Sequence, residues 1–340
     1  MNRRLSVIVP IYNVELVLRQ CLDSIYSQID ACDEVILIDD ASADASQGIC
    51  EDYRNKYPDI TRFIQNKKQS GPSECRNIGT QNASGEFLFY MDSDDWLAPD
   101  TLTRMYAFAK KRDCDIVQIG FYYAYSQYLL TKKISNKWDK EGIVMTRRQA
   151  MASLIENGFV NNFIWGKLYK ADIVKKYPLK VDVSMGEDAF FQHRVLGDAY
   201  RIGVINQPLY YYRQVDNGLS NTFSLRHKGL LEAYEDRFLF LRQNYPELVA
   251  SHMRTFWRMA YNFYCRSKSE EKALTDYFSV YWLEINGKYK VEFAEALKNQ
   301  TDYRLYRVHP ICLSFYLKVK RLFLSVLYRI GYSEYICQKI

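Results

Sequence analysis

A chain of 340 residues is long for one compact core and suits one large domain with a smaller one. Its 48% hydrophobic and 25% charged content is that of a soluble globular protein, and a net charge of +6 suits anionic substrates or anionic lipid without requiring either. Eight cysteines stand singly with no CxxC, and four histidines form no HxxH or HExxH pattern, which argues against a zinc site or a disulfide framework and fits a reducing cytoplasm.

The first residues, MNRRLSVIVPIYN, have no signal-peptide pattern, because the apolar run is short and leads straight into a turn. No stretch approaches about 18 uninterrupted apolar residues, so no transmembrane helix is expected. Leu5–Pro10 reads as a buried strand, and Val14, Leu18, Cys21, Leu22 and Ile25 then recur at helical spacing. Val35–Asp39 is a second buried strand ending at Asp39 and Asp40, followed by a helix over 44–57 and a strand over 60–65. Gly71 and Pro72 open a helix that ends near Gly85, and Phe87–Met91 is a fourth strand. Pro99 and Asp100 start another helix, and Asp115–Tyr123 returns to strand. Strands and helices alternating at these lengths predict an α/β fold with a mostly parallel sheet covered on both faces.

Further along, Thr146 and Gln149 form a capping box, Phe163–Tyr169 reads as strand, and Gly186, Glu187 and Asp188 precede a helix. Ile202–Tyr212 is strand. From about Leu225 the pattern is helical with few glycines. These patterns predict two domains, 1–220 and a helical C-terminal region over 221–340.

The stretch FLFYMDSDDWLAPD, Phe87–Asp100, is the most demanding chemically. An apolar strand ends in Asp92, Ser93, Asp94 and Asp95, and such close like charges need a cation among them. Ligands of open α/β sheets bind beyond the C-terminal strand ends, so Asp39 and Asp40 would share one cleft with Asp92 and Asp94. Oxygen-rich clusters of this kind suit Mg²⁺ or Mn²⁺ together with substrate phosphates. There is no GxxxxGK[ST] loop and no GxGxxG after the first strand, which argues against a P-loop NTPase and a dinucleotide dehydrogenase.

SVIVPIYN, VILIDDASADAS, GPSECRNIG and FLFYMDSDDWLAPD, in this order and spacing, resemble the inverting family-two glycosyltransferases with the GT-A fold. GEDAFF, Gly186–Phe191, resembles the acidic motif that supplies the catalytic base of that family. The resemblance runs over about residues 4–215. It implies a Rossmann-like sheet flanked by helices and transfer of a sugar from a nucleotide-sugar donor to a saccharide or lipid-linked acceptor, in bacterial surface-polysaccharide biosynthesis.

By the same resemblance Pro10, Tyr12, Asp40, Arg76, Asp92 and Ser93 bind the donor, with Tyr12 on the base and Asp92 on the ribose hydroxyls. Asp40 would accept N3–H of uracil, which cytosine lacks, and this favours a UDP-sugar. Asp39 would orient its loop, and Arg76 would contact the donor or pair with Asp40 or another neighbour. Asp94 would ligate Mn²⁺ or Mg²⁺, and Asp95 would support it or cap the next helix. Asp188 would be the base, with Glu187 the alternative, and both also suit a helix N-terminus as simple capping acids. Trp165 and Lys167 would line the acceptor side, although Trp165 suits core packing equally. Ala41 stands where the family more often has glycine.

Two rival readings are a nucleotide-sugar-binding protein without turnover and a nucleic-acid enzyme. The pairing of metal-type aspartates with a separate acidic motif opposes the first. The dispersed basic residues and lack of an RNA-binding motif oppose the second, so no nucleic acid is expected. Residues 311–330, ICLSFYLKVKRLFLSVLYRI, form a wide apolar arc with Lys318, Lys320, Arg321 and Arg329, which predicts an interfacial helix on an anionic membrane surface at the cytoplasmic face. Docking on the sheet domain, or pairing with a second copy as a homodimer, are the alternatives for this segment.

Overall fold

A computed structural model of the chain describes residues 3–132, 141–156, 158–214, 222–308, 316 and 335–339. The chain divides into two compact units, one of Met1–Thr222 with Cys337–Ile340 and one of Phe223–Ile336.

The first unit opens with β1 (Leu5–Ile11), α1 (Glu15–Tyr26), β2 (Asp33–Asp39), α2 (Ser46–Lys56), β3 (Thr61–Gln65), α3 (Pro72–Asn82) and β4 (Phe87–Tyr90). It continues through β5 (Trp96–Leu97), α4 (Thr101–Arg112), β6 (Ile116–Ala124), β7 (Tyr128–Lys132), β8 (Ile143–Thr146) and α5 (Arg147–Ile155). Then come β9 (Lys167–Lys170), α6 (Ala171–Val174), α7 (Glu187–Asp198) and β10 (Arg201–Arg213). Every residue of β1 and β2 is buried, as expected for strands covered on both faces.

The order β3-β2-β1-β4 is parallel throughout. β9 enters antiparallel between β4 and β6, and β10 runs parallel to β6. The fold is thus α/β with a mixed sheet whose β3-β2-β1-β4 half is wholly parallel. The register of β10 with β6 shifts around Pro208, which has no N–H to give to the ladder. The short β5 and β8 pair antiparallel with β10.

Register decides what meets at the C-terminal edge. Ile11 is level with Asp39, and Ile8 is level with Tyr90. Tyr12, Asp40 and the turn after β4 therefore emerge side by side. Helix α3 lies directly on β1 because Gly79 has no side chain there; a Cβ would come within 2.3 Å of Ile8 Cγ2. This close seat carries Arg76, one turn earlier, down to the strand ends.

The capping box at the start of α5 is present, with Gln149 N donating to Thr146 Oγ1 and Thr146 N to Gln149 Oε1. The strand expected over Phe163–Tyr169 is shorter and is confined to β9. The ammonium of Lys167 is buried and donates to Asn161 Oδ1 at 2.6 Å and to the Phe163 carbonyl, which folds residues 161–166 back over it. Gly166, at φ +67°, makes the reversal.

The second unit comprises α8 (Lys228–Asn244), α9 (Val249–Ser267), α10 (Lys272–Lys288), α11 (Lys290–Leu297) and α12 (Thr301–Val308) among its described residues. Its core is aromatic: Phe238, Phe256, Trp257, Phe278, Trp282 and Phe293 are nearly inaccessible. A last strand, β11 (Tyr335–Lys339), closes the described chain. Among the described residues no helix is long and apolar enough to cross a membrane. The segment 311–330 expected at a membrane surface lies outside the described residues, apart from Tyr316.

Candidate active site

The cleft begins where β1 and β2 end. Pro10 is buried in β1 opposite Ile38, whereas Tyr12 is 42% exposed and leaves its ring open to a ligand. Asn13 Oδ1 accepts from Ala43 N at 2.8 Å and Ser42 Oγ accepts from Asn13 N at 3.1 Å, tying the two loops together. Ala41 sits at φ +60°, where a glycine is unstrained and an alanine is not.

Asp39 and Asp40 have different tasks. Asp39 is fully buried; one oxygen accepts from Ser42 N at 3.3 Å and the other, Oδ1, has no hydrogen-bond partner among the described residues. Asp40 accepts from Asn66 Nδ2 (2.8 Å), Ser70 N (2.9 Å), Ser70 Oγ (2.7 Å) and Gly71 N (2.7 Å). Burial alone would raise its pKa, but these hydrogen bonds outweigh burial and hold the carboxyl below its ordinary value. Asp40 thus anchors the start of α3, where a negative charge also meets the helix dipole. Its carboxylate is engaged by the chain itself.

The turn after β4 is closed by Asp95 N donating to the Asp92 carbonyl at 3.2 Å. Asp95 does not cap α4, which starts at Thr101. It is completely buried and accepts from Tyr210 O–H at 2.6 Å and Arg213 N at 2.7 Å, so it fastens the end of β10 to the acidic turn. Burial, then the charges of Asp94 and Asp92, push its pKa well up. Arg213 Nε donates to the Asp94 carbonyl at 2.6 Å, and its guanidinium lies 4.7 Å from the Trp96 ring centroid. Ser93 is buried within the turn.

Asp94 is the member of the turn whose carboxylate remains available to a cation. Burial and the adjacent Asp92 raise its pKa to about 6, and the cations of Arg213 and Arg76 only partly offset this. A divalent ion would remove that penalty, so the donor chemistry at Asp94 fits a hard cation. Among the described residues no three His, Cys, Asp or Glu side chains gather to hold a metal by themselves.

Arg76 is the cation at the centre of the cluster, and its partners are not Asp40. Its Nη2 lies 2.6 Å from Asp92 Oδ1 and its Nη1 lies 3.6 Å from Glu187 Oε1. The side chain is only 7% exposed, and among the described residues Nε and Nη1 have no hydrogen-bond acceptor. Desolvation lowers its pKa, but Asp92 and Glu187 more than reverse this, so it stays a cation.

Glu187 and Asp188 open α7, after Gly186 at φ +96°. Asp188 is half-buried and accepts from Ala189 N at 2.6 Å. The buried Lys167 has its pKa pushed down to about 7 by desolvation, with the charge of Asp188 opposing the shift. Trp165 is a packing residue. It stacks on Phe163 at 4.3 Å and on Tyr210 at 4.5 Å and is 7% exposed, which leaves it no open face for a sugar. Tyr210, Arg213, Asn66 and Ser70 were absent from the residues expected at the site. The run LYYYR at the end of β10 carries a strand pattern but gives no sign of what its polar ends reach.

Comparisons with known proteins agree with this architecture. The family model described as glycosyl transferase family 2 matches residues 6–177. Glycosyltransferase GlyA of Streptococcus pneumoniae serotype 4 is 30% identical over 271 residues, covering 75% of this chain and 37% of that protein. Putative glycosyltransferase EpsH of Bacillus subtilis is 31% identical over 248 residues, covering 70% of this chain and 69% of that protein. The chain thus spans about a third of the first of these relatives and about two thirds of the second. Among solved structures, residues 1–349 of S. aureus TarS in complex with UDP superpose with a TM-score of 0.55 at 21% identity, covering 90% of this chain and 78% of that one. The TarS fragment in complex with UDP-GlcNAc gives the same TM-score at 22% identity, covering 89% and 78%.

Proposed function

The chain belongs to glycosyl transferase family 2, and we propose that it transfers a hexosyl or N-acetylhexosaminyl group, with inversion, from a UDP-sugar to a hydroxyl of a saccharide or lipid-linked acceptor in surface-polysaccharide biosynthesis. The observation that carries this reading is the buried Arg76, which contacts both acidic motifs at once, Asp92 on the donor side and Glu187 beside Asp188. Two acidic groups with separate tasks, drawn into one cleft, are what an in-line displacement at an anomeric carbon requires.

The exposed ring of Tyr12 stacks on the base, and Asp40 receives the uracil N3–H while it holds the loop at Ser70 and Gly71. The UDP and UDP-GlcNAc complexes of TarS support uridine as the base. Asp92 takes the ribose hydroxyls with its orientation set by Arg76. Asp94 is the residue that would hold Mn²⁺ or Mg²⁺, which when bound supplies positive charge to the leaving diphosphate. As the acceptor oxygen bonds to the anomeric carbon and the bond to the diphosphate oxygen breaks, the Asp188 carboxylate takes the acceptor proton. Glu187 is engaged by Arg76, and the base role is assigned to its neighbour Asp188 in the same turn of α7.

A panel of nucleotide sugars, tested with Mn²⁺ for release of the nucleoside diphosphate, tests this reading. Turnover of a UDP-sugar above the background of the Asp94→Ala variant is expected. Release from no nucleotide sugar, with no binding of UDP, would overturn it.

A further inference from the structure

Away from the strand ends, a cavity of about 200 Å³ opens between the segment after α6 and helix α7, and is lined by Lys176, Tyr177, Lys180, Phe190, Phe191 and Arg194. We propose that this cavity holds a phosphate group of the acceptor, a substrate assignment that rests on the transferase reading above. The lining combines three cationic side chains with an aromatic floor, and Phe190 and Phe191 are almost completely buried. Lys180 Nζ stands 4.0 Å from the Phe190 ring centroid, and among the described residues no carboxylate lies within ion-pair distance of it. Lys176 is paired with Asp198 at 2.8 Å, but that lysine is 58% exposed, so the pair is well screened. Arg194 is held along the helix by its Nη1 donating to the Phe190 carbonyl at 2.8 Å.

This lining does not suit a neutral sugar, which wants an open aromatic face and hydrogen-bond acceptors. Here the Phe190 ring already carries an ammonium, and beside the Tyr177 hydroxyl the polar side chains of the lining are the cations Lys176, Lys180 and Arg194, which match phosphate oxygens. The volume is below the roughly 300–1,000 Å³ of a site for a drug-sized ligand, so it takes a phosphate with its neighbouring carbons and not a second nucleotide sugar.

Position ties the cavity to the reaction. Helix α7 carries Asp188 in its first turn and Phe191 and Arg194 behind it, about 5 and 9 Å further along the axis at 1.5 Å per residue. The segment bearing Lys180 is pinned to α3 next to Arg76: Asn77 Nδ2 donates to the Leu179 carbonyl at 2.9 Å, and Leu179 N donates to Asn77 Oδ1 at 2.8 Å. An acceptor whose hydroxyl lies at Asp188 and whose chain passes round α7 would bring a phosphodiester to Lys180 and Arg194.

The test is calorimetry of the full chain with a soluble glycerol-phosphate oligomer, a glucose oligomer and phosphatidylglycerol vesicles, repeated on Lys180→Glu and Arg194→Gln. Lys180 is exposed, so its replacement leaves the fold intact, and UDP affinity of each variant serves as the control. The expected result is salt-sensitive binding of the glycerol-phosphate oligomer, weakened at least 10-fold in Lys180→Glu with UDP affinity unchanged. Absence of oligomer binding, equal binding of the glucose oligomer, or equal affinities in wild type and variants would overturn the assignment. So would Lys180-dependent binding of vesicles alone, which would give the phosphate to a lipid headgroup. Loss of UDP binding by the wild type would instead count against the transferase reading itself.

Discussion

The buried Arg76 and the partly exposed Asp92 form an ion pair of 2.6 Å at the mouth of the parallel sheet, and the same guanidinium faces Glu187 at 3.6 Å. The two acidic motifs, far apart in the chain, are therefore joined through one cation. Removing it leaves two carboxylates, 23% and 20% exposed, without their shared cation. Breaking a fully buried pair costs about 3–5 kcal/mol, and partial solvation here brings the expectation for Arg76→Met to about 2 kcal/mol. Arg76→Lys keeps the charge but cannot span both partners, and should lie between. Urea unfolding measures this; an Arg76→Met variant as stable as wild type would show that the pair is dispensable.

Asp94 is expected to set a pH limit on donor binding. Its carboxyl titrates near 6, so a metal ion must compete with a proton below that value. UDP affinity in the presence of Mn²⁺ should be constant from pH 8 down to about 6.5, then fall with each further unit of acid. Asp94→Asn should lose both the metal enhancement and this pH dependence. A flat profile for wild type between pH 8 and 5 would remove Asp94 from the metal's ligands.

Asp40 is expected to read the base while anchoring α3. UDP should bind more tightly than CDP by roughly 1.5–3 kcal/mol, the scale of a hydrogen bond to a charged group. Asp40→Ala should abolish that difference and also destabilise the fold, because the amides of Ser70 and Gly71 lose their acceptor. Equal affinities of UDP and CDP for the wild type would refute this role.

Lys167 makes stability depend on alkaline pH. Its folded pKa, about 7, lies below the ordinary 10.5, so between these values the unfolded chain holds a proton that the folded chain has lost. Wild-type stability should rise with pH through that window, relative to Lys167→Met, by up to about 1.4 kcal/mol per unit. An unchanging difference between the two proteins from pH 6 to 10 would mean that the ammonium is not desolvated.

The parallel half of the sheet is legible in the sequence because doubly buried strands such as LSVIVPI and DEVILID carry almost no polar interruption. The strand-end rule alone expects Asp39, Asp40, Asp92 and Asp94 at one edge, and the register of β1 with β2 and β4 brings those strand ends together, with Asp39 itself buried. What the acids touch is not legible, because Arg76–Glu187, Asp95–Tyr210 and Asp95–Arg213 join residues distant in the chain. Phe163–Gly166 shows a second limit. An aromatic, β-prone run looks like strand until the buried Lys167 draws the Phe163 carbonyl out of the ladder. Trp165 likewise looks available to a sugar until Phe163 and Tyr210 are found stacked on it.

The most direct test of the account is the Asp188→Asn variant, measured in single-turnover transfer and, in parallel, by calorimetry with UDP. The expected result is a transfer rate lower by roughly 10²–10⁴-fold with UDP affinity unchanged, since the side chain serves the acceptor and not the nucleotide. A variant that transfers sugar at the wild-type rate, or that loses UDP binding together with its activity, would contradict it.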